Sequence, residues 1–125
     1  MPNYRRAFVP GGIWFFTVNL LQRRNNNLLV REIDLLRQCV HRVQQRYPFQ
    51  IDAWVVLPEH LHCVLTLPPD DYDFSLRWRL IKSCFSRALP KTEHVSDVRK
   101  AAGERGIWQR HFWEHLIRDE IDYQR

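Results

Sequence analysis

The sequence predicts one α+β domain, an antiparallel sheet with helices packed on one face. Three observations carry this. Four short segments are rich in aromatic and β-branched residues, as strands are. Two longer stretches repeat apolar residues at steps of three and four, as one face of a helix does. Turn residues separate the segments throughout. The 125 residues suit a single domain over 1–125. A hydrophobic share of 45% fills one core and, with 13% aromatics, excludes general disorder.

A basic arm, Tyr4-Arg5-Arg6, precedes the turn signal Pro10-Gly11-Gly12. Residues 13–20 (IWFFTVNL) read as the first strand, and the polar residues 22–27 (QRRNNN) as a loop. Over residues 31–47, Ile33, Leu36, Val40, Val43 and Tyr47 line one helical face, and Pro48 ends the helix. Residues 51–57 form the second strand, with Ile51, Ala53, Val55 and Leu57 on one side and Asp52, Trp54 and Val56 on the other. After the turn at Pro58-Glu59, residues 61–67 (LHCVLTL) form the third strand, paired with the second as a hairpin.

Residues 73–89 read as a second helix with an apolar arc of Phe74, Trp78, Ile81, Phe85 and Ala88. Arg79 and Lys82 fall on the opposite face. Arg77 projects into the arc, either snorkelling or pointing at a ligand. Residues 90–106 read as a long polar loop, and residues 107–117 (IWQRHFWEHLI) as a fourth strand in part. Residues 118–125 read as the start of a C-terminal helix, with Asp119, Glu120 and Asp122 suited to its N-terminal end. The order β-α-β-β-α-β is the ferredoxin-like arrangement, which leaves one sheet face free.

The net charge is +5, and 16 of the 19 basic residues are Arg. Arg bonds phosphate oxygens in pairs and stacks on bases, so this balance suits nucleic acid. The three cysteines, Cys39, Cys63 and Cys84, are odd in number and lie in apolar surroundings. They read as reduced, mostly buried thiols of a cytoplasmic protein. The first apolar run is too short to span a bilayer, and no membrane partner is expected.

The chemistry centres on Pro58-Glu59-His60-Leu61-His62. Two imidazoles one residue apart at the start of a strand point to the same face. Their ring nitrogens can meet at one divalent metal ion, with positions left for a third ligand and a substrate oxygen. Cys63 faces the other way and reads as core. The apolar run Cys63-Val64-Leu65 is expected to wall the site. Glu59 is an outer partner of an imidazole or, more simply, a solvated turn residue.

With these residues in view, the chain resembles the REP-associated tyrosine transposases, a branch of the HUH single-stranded-DNA transposases. The matching stretches are residues 4–6 (YRR), 11–20 (GGIWFFTVNL), 53–63 (AWVVLPEHLHC), 77–82 (RWRLIK) and 107–115 (IWQRHFWEH). The resemblance implies Mg²⁺ or Mn²⁺ held by His60, His62 and a third polar ligand on the scissile phosphate. It implies attack by a helix-borne tyrosine, giving a 5′-phosphotyrosine link on single-stranded or hairpin DNA. Arg5 and Arg6 would contact DNA near the hairpin foot, and Arg110 falls in a matching stretch and is a further contact residue. Arg79 and Lys82 are phosphate-contact candidates from charge and helix face, with a solvated face as the alternative. Trp108, Phe112 and Trp113 offer rings for stacking, at least one of them being expected in the core.

The chain departs from the family at its end. The family nucleophile and third metal ligand fall beyond residue 125, so the chain is expected to be C-terminally truncated. Tyr123 is the one tyrosine of the final segment, read first as a packing or surface residue and second as a substitute nucleophile. The competing readings are a DNA-hairpin-binding protein without a nucleophile and a metal-dependent phosphoesterase. Two-histidine phosphoesterases need a second His-x-Ser/Thr motif, which only His94-Val95-Ser96 loosely supplies. A monomer is expected, dimers being known in the wider superfamily.

Overall fold

A computed structural model describes residues 10–90 and 106–117. The element order is β1 (Ile13–Asn19), α1 (Leu28–Arg31), α2 (Ile33–Arg46), β2 (Gln50–Val56), β3 (His60–Thr66), α3 (Phe74–Arg87) and β4 (Trp113–Ile117). The sheet order is β2-β3-β1-β4, with every neighbouring pair antiparallel. The β-α-β-β-α-β topology read from the sequence is therefore observed, as an α+β fold with β3 and β1 in the centre. The basic arm at Arg5 and Arg6, residues 91–105 and the C-terminal segment with Tyr123 lie outside the described residues.

Alternation along the two central strands divides the sheet into two sides. Trp14, Phe16 and Val18 of β1 and Leu61, Cys63 and Leu65 of β3 are buried. They meet the apolar faces of α2, through Leu36, Cys39, Val40 and Val43, and of α3, through Phe74, Trp78, Ile81 and Phe85. A strand repeats every two residues, so Phe15, Thr17 and Asn19, and His60, His62 and Val64, must face away from this core. Cys63 and Leu65 thus belong to the core. The expected apolar wall of the site is not theirs; only Val64 of that run shares the open face.

Local differences from the sequence reading occur in the first helix, in β3 and in β2. The first helix begins earlier, with the turn Leu28–Arg31, because Asn26 Oδ1 accepts the Leu28 amide at 3.0 Å and starts a turn inside the polar stretch. A break at Glu32 then separates it from α2. β3 begins at His60, whose strand partner is Asn19. In β2 the pairing with β3 shifts register between Ile51 and Ala53, while burial still alternates as the sequence predicts, with Ile51, Val55 and Leu57 exposed and Trp54 and Val56 against the core.

Arg77 neither snorkels nor reaches for a ligand. Its side chain is 1% exposed. The guanidinium donates to the carbonyls of Tyr47 (3.2 Å), Asp73 (3.0 Å) and Pro48 (2.8 Å), and to Asp71 Oδ2 (2.9 Å). It ties the start of α3 to the corner between α2 and β2. Asp73 caps α3 by accepting the Leu76 amide at 3.0 Å. Gly11 takes a left-handed φ of +67° where the chain passes Pro69, so the predicted turn needs its glycine.

Candidate metal and nucleic-acid site

The open face carries the histidines. Antiparallel register sets Thr17 opposite His62 and Asn19 opposite His60. The rings of His60 and His62 lie 4.8 Å apart between centroids and nearly perpendicular, at 79°. Both sit on a central strand, so backbone pairing on each side fixes where they start.

Each ring has its Nδ1 engaged. Thr17 Oγ1 lies 2.9 Å from His62 Nδ1, and Glu59 Oε1 lies 2.6 Å from His60 Nδ1. An imidazole whose Nδ1–H donates carries its lone pair on Nε2, the atom that binds metal. Glu59 is thus the outer partner of His60 rather than a bare turn residue. The hydrogen bond from His60 holds its carboxyl below the ordinary carboxylate range, and Arg23 Nη2 approaches the same oxygen at 3.5 Å. Burial, and secondarily the neighbouring His60, pushes the His62 pKa down, which favours the neutral ring a metal requires.

The donor set fits a divalent cation of the imidazole-accepting kind. Two Nε2 atoms suit Mn²⁺ better than Mg²⁺, which prefers oxygen. Among the described residues no group of three His, Cys, Asp or Glu side chains comes together.

The other predicted residues separate. Arg79 is exposed on α3, and Lys82 on the same helix donates to the Gln109 carbonyl at 3.0 Å and lies 5.4 Å over the Phe112 ring. That helix packs on the covered side of the sheet, so the structure does not bring Arg79 or Lys82 to the imidazoles. The backbone at Arg110 lies at the imidazole end of the sheet. Its neighbour Gln109 donates its amide to the Asn19 carbonyl at 3.0 Å, and Asn19 pairs with His60. Trp108 is buried against Phe85, and Phe112 packs on the core, whereas Trp113 is exposed on the open face.

Sequence reasoning missed Thr17 and Arg23. Thr17 lies 45 residues from His62, and only strand register joins them. No local spacing signals such a pair.

The fold and site are those of an antiparallel sheet that presents two neighbouring imidazoles from a central strand on its open face. The chain belongs to the family of IS200-like transposases, which it matches over residues 13–119. It is 48% identical to the REP-associated tyrosine transposase of Escherichia coli K12 over 124 residues, 99% of this chain and 67% of that protein. A Haemophilus influenzae protein is 42% identical over 98% of this chain and 69% of its own length. Among solved structures, a REP-associated tyrosine transposase bound to a REP hairpin superposes with a TM-score of 0.80 at 47% identity, covering 99% of this chain and 67% of that one. A crystal structure from Deinococcus radiodurans superposes with a TM-score of 0.61 at 14% identity over 98% and 91% of the two chains, a likeness of fold alone. The resemblance to the REP-associated tyrosine transposases is thereby established. No described helix is long and apolar enough to cross a membrane.

Proposed function

We propose that this chain binds hairpin DNA with an unpaired flank and holds one phosphate of that flank at His60 and His62 for strand cleavage and transfer. The observation that carries the reading is the pair of imidazoles on the open sheet face, each with Nδ1 engaged and Nε2 left for a cation. Mg²⁺ or Mn²⁺ bound there would withdraw charge from the phosphate and orient it for in-line attack. The residues of the chain do the rest. Glu59, an acceptor only, sets the tautomer of His60, and Thr17 and Glu59 together set the angles of the two rings. The paired strands on either side keep the rings from turning away. The excess of Arg over Lys supplies forked phosphate contacts, with Arg110 at the imidazole end and Arg5 and Arg6 in the basic arm. That a hairpin occupies a related structure supports this choice of substrate.

The attacking group in this reading is a tyrosine, whose phosphodiester link conserves the energy of the broken bond. The test mixes the chain with labelled DNA hairpins and Mn²⁺ and compares native with denaturing gels. A denaturant-resistant adduct in the wild type, absent in His60→Ala, supports cleavage by this chain. Persistence of the adduct in Tyr123→Phe would remove Tyr123 from the role of nucleophile. A shift on the native gel alone would limit the function to recognition of the hairpin. No shift at all would overturn the reading.

A further inference from the structure

We infer that Trp113, with Phe15 at its edge, forms a stacking subsite for one unpaired nucleobase beside the phosphate held at His60 and His62. The inference rests on the nucleic-acid reading above and deepens it by naming how a base is held.

Exposure singles out Trp113. Trp14, Trp78 and Trp108 are buried at 2%, 1% and 8%, and Trp54 packs against the core, whereas Trp113 is 55% exposed. An indole so exposed on a sheet face offers a flat apolar ring to solvent, a surface on which a base can stack.

Register puts this ring in the row of the metal site. Thr17 pairs with His62 on one side and with Trp113 on the other. Trp113 is therefore two strand spacings from His62, about 10 Å along the row. That is a separation of the kind a nucleotide bridges between its phosphate and its base.

The ring is also held in place before any ligand arrives. Its face stacks on His115 at 5.8 Å and 7°, and its edge meets Phe15 at 5.7 Å and 72°. Phe15 in turn stacks on His62 at 5.7 Å and 18°. One aromatic series thus runs across the open face from the imidazoles to the indole. A base laid on Trp113 loses no indole rotamer freedom, because these neighbours have already fixed it. Every base has a π face, so the subsite sets position and prefers unpaired over paired nucleotides without reading sequence.

The test uses the chain with fluorescent DNA hairpins carrying a randomised single-stranded flank, in EDTA so that no strand is cut. The tightest binder is then remade with an abasic site at one flank position at a time. Wild-type affinity should fall roughly 5- to 100-fold at one position. Trp113→Ala should lose a similar factor on the intact hairpin and become insensitive to the abasic site at that position. Trp113→Phe should recover most of the loss, and DNA should quench Trp113 emission in the wild type. An abasic penalty of equal size in wild type and Trp113→Ala would overturn the subsite while leaving hairpin recognition intact. Absence of hairpin binding by the wild type would overturn the underlying reading and the subsite with it.

Discussion

Arg77→Met removes a guanidinium and keeps a chain of similar length in its slot. The wild-type group makes four hydrogen bonds, three of them to backbone carbonyls at 2.8–3.2 Å. Its side chain is 1% exposed, so the carbonyls it leaves gain little water. Asp71 is different: its side chain is 35% exposed and can be rehydrated when the partner goes. The cost therefore comes mainly from unpaired carbonyls, each worth about 1–3 kcal/mol, offset in part by the better burial of a thioether. A net loss of about 3–5 kcal/mol follows from the three stranded carbonyls. A Tm drop of roughly 10–20 °C is expected for a chain of this size.

Urea titration followed by tryptophan emission measures the loss, and Arg77→Lys should fall between wild type and Arg77→Met. Acid adds a second readout. The hydrogen bond from Arg77 holds the Asp71 carboxyl below its ordinary 3.8. A depressed folded pKa gives stability that is present above the unfolded value and is lost as pH falls through the folded one. Wild type should therefore lose this part below about pH 4, and Arg77→Met should lack it. A variant within about 1 kcal/mol of wild type, with an unchanged acid limb, would refute the account of Arg77 as a structural tie.

Three further outcomes are expected. Removing either imidazole, as His60→Ala or His62→Ala, should weaken Mn²⁺ binding by at least roughly tenfold in a paramagnetic titration, with the fold retained by circular dichroism. Thr17→Val and Glu59→Ala leave both imidazoles in place but free their Nδ1 atoms. Mn²⁺ affinity should fall about 10- to 100-fold, and an unchanged affinity would mean that the rings need no outer partner. Gly11→Ala forces a Cβ to 3.0 Å from Pro69 Cα at a φ of +67°. It should cost about 1–2 kcal/mol in thermal unfolding, with no change in metal affinity.

What could be read from the sequence was what repeats locally. The period of two placed His60 and His62 on one face and Cys63 on the other, and the step of three and four gave Phe74, Trp78, Ile81 and Phe85 as a core arc. What could not be read depends on contacts distant in the chain. Arg77 looked anomalous in its arc because two of its four partners, Tyr47 and Pro48, lie about thirty residues away. The Thr17–His62 pair and the row joining Trp113 to the imidazoles exist only through strand register. Lys82 shows the same limit from the other side. Helix periodicity put it on the face opposite the apolar arc, open to phosphate or to solvent, yet the segment following residue 106 returns to cover it.

A strand paired on both sides is released only when neighbouring strands let go, whereas a strand with one partner can fray by itself. Among the described residues β3 has two partners and β4 has one. Amide hydrogens of β3 should accordingly exchange among the last in the domain, and those of β4 sooner. The imidazoles then ride on the most persistent part of the sheet and Trp113 on a more yielding margin.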